Sequence, residues 1–303
     1  MSTSPGRYAI GGHIFDAGKI TPGLHIVATP IGNLADITLR ALATLAGADL
    51  IACEDTRVTR RLLGRYSIST PLTAYHDHNA EATRPKLLRR LGEGAAIALV
   101  SDAGTPLVSD PGFKLVRDAE AAGYPVIAVP GASATLAALS VAGLPTDAFL
   151  FAGFLPPKQA ARRARIAELA DIPATLVLFE TGPRIAATLA DLAAGLGERE
   201  AALCRELTKI HEEVRRGDLA TLAQHYAAGA AEIRGEIVLV IGPPKPAVRP
   251  ENGDTDALLR QALARGSLKD AVGEVAHATG HSRRDLYQRA LLLAKEQSDG
   301  PSR

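Results

Sequence analysis

The chain has no tryptophan, and only 4 % of its 303 residues are aromatic. Apolar residues still make up 47 %, so a sizeable core is available from Ala, Leu, Val and Ile. Two cysteines, Cys53 and Cys204, both in apolar runs, are too few for a disulfide framework, and a reducing cytoplasm is the expected compartment. No apolar run approaches the length of a membrane span, and the N-terminus carries no signal-peptide core. A charge excess is also missing. Thirty-four basic and 33 acidic residues leave a net charge of +1, which argues against a protein held on nucleic acid by overall charge alone. A local basic patch stays open. Neither GxGxxG nor GxxxxGK[ST] occurs after a strand, so neither NAD nor ATP is expected.

What is present is an alternation of apolar runs and amphipathic stretches. Strands are expected at 24–28, 50–53, 72–75, 96–100 and 126–129, with helices over 37–45, 56–63, 81–91, 113–122 and from 132 to 141. This order predicts a mostly parallel sheet with covered faces. Gly143-Leu-Pro145 breaks the pattern, and a second α/β set follows through Ile241. The expected division is a loose tail over 1–22, α/β domains over 23–145 and 146–245, and a helical appendage over 254–297 behind a proline-rich linker.

The loop Ser101-Asp-Ala-Gly-Thr-Pro-Leu-Val-Ser-Asp-Pro-Gly112 carries the most chemistry. It joins a buried strand to a helix that Asp110 can cap and Pro111 can open. Its residues are small up to that cap, so a ligand can lie against its backbone. Open parallel sheets bind ligands at the carboxyl ends of their strands. Thr29-Pro-Ile-Gly-Asn-Leu34 and Val129-Pro-Gly-Ala-Ser-Ala-Thr135 are further turns at strand ends, and Ser133 can cap a helix whose free N–H groups favour an anion. Three such loops in one domain point to a shared small-molecule site.

Other clusters admit two readings. Cys53-Glu-Asp-Thr-Arg57 is either a capped helix with a surface ion pair or a catalytic group. In Tyr75-His-Asp-His-Asn79 the i, i+2 histidines are a weak metal signal, and a surface or substrate-contacting role fits better. Lys158, Arg162, Arg163 and Arg165 share one expected helix, either as a solvated face or as a phosphate-binding one. Residues 268–292 read as helix, glycine turn and helix, with Ser282 as N-cap and Arg283, Arg284 and Arg289 on or near the outer face. A packing bundle is favoured over a nucleic-acid contact.

Taken together, residues 24–42, Cys53-Glu-Asp-Thr-Arg57, His76-Asp-His-Asn79, the 101–112 loop and Gly153-Phe-Leu-Pro156 resemble the ribosomal RNA small subunit methyltransferase I family, a branch of the tetrapyrrole-methylase-like class. The resemblance runs from about Leu24 to the end. It implies two α/β domains with S-adenosylmethionine in the cleft between them, a homodimer, and methyl transfer to the 2′-hydroxyl of a cytidine in the decoding region of 16S rRNA within the 30S subunit. By position it implies cofactor contacts at Ile31, Ser101, Asp102, Ala103, Pro106, Ser133, Ala134, Glu180 and Leu207, and no metal. Pro183 stands where the family usually has a histidine, and Ala132-Ser133 replaces a proline-cysteine pair of some members. Catalytic candidates are Glu54, Asp55, Arg57 and His76, with His76 or Glu54 as the base that takes the hydroxyl proton. The rival readings are a tetrapyrrole C-methyltransferase of the same fold, a non-catalytic S-adenosylmethionine sensor, and an RNA chaperone acting through the tail. The histidine segment and the basic tail favour RNA.

Overall fold

The first described segment is not a tail. In the computed structural model, which describes residues 6–108, 112–227, 233–245, 252–279 and 281–298, β1 (Arg7–Ile10) and β2 (His13–Asp16) form an antiparallel hairpin. Tyr8, Ile10, Ala17 and Ile20 pack on the core, and the Ala9 N–H donates to the Tyr66 carbonyl at 2.7 Å. The expectation of a loose tail is therefore corrected over residues 6–22. Four half-buried side chains anchor a strand pair too short to be stable alone.

Next come β3 (Gly23–Val27), a short 3-10 turn at Leu34–Asp36, α1 (Leu39–Gly47), β4 (Leu50–Cys53), α2 (Thr56–Arg65) and β5 (Leu72–Ala74). Then follow α3 (Ala80–Gly92), β6 (Ala96–Val100), α4 (Phe113–Ala121), β7 (Val126–Val129) and α5 (Ala134–Ala142). The strands form one parallel sheet in the order β5-β4-β6-β3-β7. β4 and β6 are buried along their whole length, as strands covered on both faces must be. α1 and α2 cover one face, and α3 and α4 cover the other.

The second half runs β8 (Phe149–Phe154), α6 (Gln159–Leu169), β9 (Thr175–Thr181), α7 (Gly182–Leu196), β10 (Glu200–Arg205), β11 (Glu213–Asp218), α8 (Leu219–Ala227) and β12 (Glu236–Ile241). Its sheet has the order β11-β10-β12-β9-β8, antiparallel except for β8 with β9. α6, α7 and α8 cover one face. The other face is covered by α5, whose Ala138, Leu139 and Ala142 pack on Val177, Ala202, Val238 and Val240. The sequence places α5 with the first sheet, but its buried side chains belong to the second. Arg216 fixes its end by donating to the carbonyls of Ala142, at 3.1 Å, and Val141. Both sheets thus form one compact unit ending at Pro244.

A separate unit holds α9 (Asn252–Leu263), α10 (Leu268–Thr279) and α11 (Arg283–Ser298). Leu259, Val272, Val275, Leu286 and Leu293 form its core, which matches the expected helical appendage. Arg289 does not project freely: its Nε donates to Asp256 on α9 at 2.8 Å. Arg283 and Arg284 are exposed. The expected Asp110 cap, the Pro111 helix start, the Gly280 turn and most of the 243–253 linker lie outside the described residues.

Candidate functional site

β3 hands on to β4 on one side of the first sheet, and β6 hands on to β7 on the other. The two strands are neighbours, so their loops leave in opposite directions and open a crevice at the carboxyl edge. Thr29 and Gly104 bridge it by exchanging backbone hydrogen bonds at 2.9 and 3.0 Å. The Thr29 hydroxyl donates to the Ser101 carbonyl at 3.2 Å. Gly104 has φ +79°, and a Cβ there would meet Ile31 at 3.3 Å, so the turn requires glycine.

Above this crevice lies a cleft of about 330 Å³. From the first half come Ile31, Asp102 to Thr105, Val108 and the 133–135 turn; from the second come Phe154, 179–181, Cys204, Leu207 and 236–238. Seven of the nine positions to which the resemblance gives a cofactor contact therefore meet on its walls: Ile31, Asp102, Ala103, Ser133, Ala134, Glu180 and Leu207. Ser101 and Pro106 lie buried behind them. The Ser101 hydroxyl is used on the loop itself, near the carbonyls of Ala103 at 3.1 Å and Gly104 at 3.3 Å.

Glu180 is 2 % exposed and already engaged at both oxygens. Oε1 accepts the Thr181 N–H at 2.9 Å and lies 3.2 Å from Arg184 Nε, while Oε2 accepts the Thr188 hydroxyl at 2.7 Å. None of these contacts involves Pro183, so the loss of the usual histidine leaves the carboxylate's anchorage intact. Ser133 caps α5 by accepting the Leu136 N–H at 3.4 Å. Two residues on, Thr135 is 6 % exposed, lines the cleft, and its hydroxyl has no partner among the described residues. A buried hydroxyl without a partner costs about 1–3 kcal/mol, which a polar ligand in the cleft would offset.

The cleft walls suit a nucleoside that carries a sulfonium cation. Phe154 and Phe179, 5.6 Å apart edge to face, offer an apolar surface for a ring system. Asp102 offers a carboxylate, and the start of α5 offers free N–H groups. Cys204 is the one soft nucleophile on the wall, and burial pushes its thiol up to about 11. At neutral pH it is protonated and does not compete for a methyl group.

The second half reaches the crevice through the turn after β10. Glu206 (φ +50°) and Thr208 (φ +68°) flank Leu207 in left-handed conformations, and Leu107 (φ +76°) does so in the facing loop. Three of the four described non-glycine residues with positive φ thus border the cleft, where the surrounding structure must hold the strain. It does so by contact across the halves. The Thr208 hydroxyl accepts the Asn33 N–H at 3.1 Å, and a Cβ on Gly32 would meet Lys209 Cγ at 2.5 Å.

The expected catalytic residues share the same sheet edge but do not line the cleft. Asp55 caps α2, accepts the Arg57 N–H at 2.8 Å and pairs with the Arg57 guanidinium at 2.6 Å. Arg57 beside it holds the Asp55 carboxyl down to about 2, which makes it a poor proton acceptor at neutral pH. Its backbone N–H donates to Asp102 Oδ1 at 3.0 Å, tying this loop to the cleft. Glu54 is half-buried at the end of β4. His76 follows β5, one strand further out; its N–H donates to Asn79 Oδ1 at 2.9 Å, and Asn79 in turn holds the Ala74 carbonyl. His76 Nδ1 is buried and unpartnered among the described residues, and its ring meets His78 at 5.9 Å. No three His, Cys, Asp or Glu side chains among the described residues converge as a metal site.

One member of the basic cluster at the start of α6, Arg162, turns inward. Arg162 is 5 % exposed and binds Asp191 Oδ2, while Arg163 binds Asp191 Oδ1 at 2.7 Å. Arg165 pairs with Glu168 at 2.6 Å. The expectation is corrected for Arg162 alone, which shares the buried stripe of Ile166 and Leu169, where a charge needs a carboxylate; Lys158, Arg163 and Arg165 stay exposed.

A family model described as Tetrapyrrole (Corrin/Porphyrin) Methylases matches residues 23–223, and one described as RsmI C-terminal HTH domain matches 249–294. Among solved structures, a conserved hypothetical protein of Aeropyrum pernix K1 superposes with a TM-score of 0.57 at 17 % identity, covering 93 % of this chain and 100 % of that one. A cobalt precorrin-4 methyltransferase superposes at 0.52 with 17 % identity, over 72 % and 94 %. Fold and cleft thus place the chain in the tetrapyrrole methylase class of S-adenosylmethionine-dependent methyltransferases. Within that class, a ribosomal RNA small subunit methyltransferase I of Mesorhizobium japonicum is 52 % identical over 285 residues, covering 94 % of this chain and 96 % of its own. One of Erythrobacter litoralis is 52 % identical over 281 residues, covering 93 % and 99 %. The chain belongs to the ribosomal RNA small subunit methyltransferase I family.

Proposed function

We propose that this methyltransferase transfers the methyl group of S-adenosylmethionine to the ribose 2′-hydroxyl of a cytidine in the decoding region of 16S rRNA, acting as a homodimer on the 30S subunit. The observation that carries the reading is the sharing of one sheet edge by two sets of groups. The cleft lies over β3, β6 and β7, and the Glu54–Arg57 and His76–Asn79 loops lie over β4 and β5, joined by the Asp55–Asp102 bond. A cofactor held in the cleft is met by an acceptor lying over β4 and β5. The cofactor supplies an electrophilic methyl on sulfur. The chain holds both partners in line, which accounts for much of the rate.

A ribose hydroxyl becomes a good nucleophile as its proton is accepted, and His76 or Glu54 takes that role. Asp55 is excluded as base by its tight pair with Arg57. The near-neutral total charge favours recognition of a preformed particle over capture of free strands. The test is 2′-O-methylation of 16S rRNA at nucleotide resolution, in cells with and without the gene. Loss at one decoding-site cytidine, restored by the wild-type gene, establishes reaction and target. An unchanged pattern overturns the proposal and moves the weight to a small-molecule acceptor.

A further inference from the structure

An enzyme of net charge +1 that acts on a polyanion needs its positive charge in one place. The α2 sequence, Thr-Arg-Val-Thr-Arg-Arg-Leu-Leu-Gly-Arg, has four arginines and no acid. Thr59, Leu62 and Leu63 are buried on one side, and Arg57, Arg60, Arg61, Gly64 and Arg65 are exposed on the other, at the i, i+3, i+4, i+7 and i+8 spacing of a single face. Arg57 is held by Asp55; Arg60, Arg61 and Arg65 make no ion pair with any described residue.

Arg65 suits the last turn of the helix, but helix stability does not call for the rest of this pattern. Arg57 and Arg60 lie in its N-terminal half, where the helix dipole disfavours cations. Arg57 and Arg61, and Arg61 and Arg65, are like charges four apart, which repel. Gly64 on the same face is a poor helix former, and a Cβ there would meet nothing within 4 Å, so packing does not require it. A face that gives up helix stability for bare positive charge and an uncovered backbone is built for an anionic partner.

Its position gives the direction. α2 starts at Asp55, whose N–H is bonded to Asp102 of the cleft. The row runs ~12 Å outward from there, with four-residue steps of ~6 Å, comparable to the spacing of successive phosphates on a polynucleotide. It ends at Arg65, which lines an open groove with Asn33, Leu34 and Ile210. We propose that Arg60, Arg61 and Arg65 form a phosphate track that carries the rRNA backbone along α2 and sets the target ribose over the sheet edge. This rests on the rRNA reading above.

The experiment measures methyl transfer to 30S subunits by wild type and by R60Q/R61Q/R65Q across a KCl series, with S-adenosylmethionine affinity as the control for folding. The track requires KM for the subunit to rise at least tenfold with kcat and cofactor Kd within twofold. With three phosphate contacts gone, the dependence of log KM on log salt should shallow by about 2. Each single variant should raise KM two- to fivefold, which keeps the test alive if the triple variant folds poorly. R165Q on α6 is the control for loss of charge elsewhere and should leave KM within twofold. Unmoved KM and salt slope in an active triple variant, or an equal rise in R165Q, overturns the track alone. A wild-type enzyme that methylates no rRNA overturns the functional reading and the track together.

Discussion

Asp102 Oδ1 accepts the backbone N–H of Asp55 at 3.0 Å, across 47 residues of sequence. The bond joins the wall of the cleft to the cap of the helix that carries the arginine row. Asp102 therefore has a double role: one oxygen fixes the neighbouring loop, and the other makes no hydrogen bond to a described residue. Asp102→Ala should weaken S-adenosylmethionine binding about 10- to 100-fold, the scale of a lost hydrogen bond to a charged group. Asp102→Asn retains an acceptor for the Asp55 N–H and should lose less. Calorimetric Kd values equal across the three proteins would remove Asp102 from the cofactor site.

Thr135 gives a prediction of opposite signs. Its buried hydroxyl has no partner among the described residues, so Thr135→Val should leave stability unchanged or raise it by up to about 1 kcal/mol. If the hydroxyl bonds the cofactor, the same variant should bind S-adenosylmethionine about fivefold more weakly, a loss of about 1 kcal/mol. Urea unfolding without cofactor and titration with it separate the two effects. A variant destabilised without cofactor would show that the hydroxyl has a partner inside the protein.

Asp191, 2 % exposed, sits between Arg162 and Arg163. Burial pushes its carboxyl up, but the hydrogen bonds from Arg163 and Arg162 outweigh this and hold it below the ordinary range. A carboxyl lowered in the folded state contributes stability in full above its unfolded value, and the contribution is lost as pH falls through the folded one. Asp191→Asn leaves a buried arginine unpaired and should cost about 3–5 kcal/mol at pH 7. The gap to wild type should hold from pH 7 down to about pH 5 and narrow from there towards pH 3. Urea midpoints at both values check this, and a pH-independent gap would contradict it.

Gly64 separates stability from function on α2. Gly64→Ala should raise unfolding free energy by about 0.4–1 kcal/mol, because the site is helical, exposed and sterically open. Cofactor affinity should not change. A destabilised variant would mean that the backbone at this position is not free of contacts.

The strand-to-loop transitions were legible because apolar runs of four or five residues ending in Gly, Pro, Ser and Asp have few other readings in an α/β pattern. Thr135 lay within reach, since it shares the loop of Ser133 and follows it by two positions. The inward turn of Arg162 was also within reach: four and seven residues on come Ile166 and Leu169, the buried stripe of α6. The hairpin at 7–16 was not, because its side chains are only half-covered and its partner surface, on α1 and α2, is remote in sequence. Phe154 and Phe179 read as ordinary strand residues, and only the approach of the two sheets places them on the cleft.

The sequence by itself determined the alternating elements, the loops at the strand ends and the caps Asp55 and Ser133. These depend on residues within a turn or two of one another, where periodicity and local hydrogen bonding decide. Tertiary structure alone decided that α5 covers the second sheet, that Asp191 is engaged by Arg162 and Arg163, and that Asp102 reaches Asp55. Each of those contacts joins segments whose meeting is set by how whole faces bury their apolar area, and no local window of sequence contains both partners.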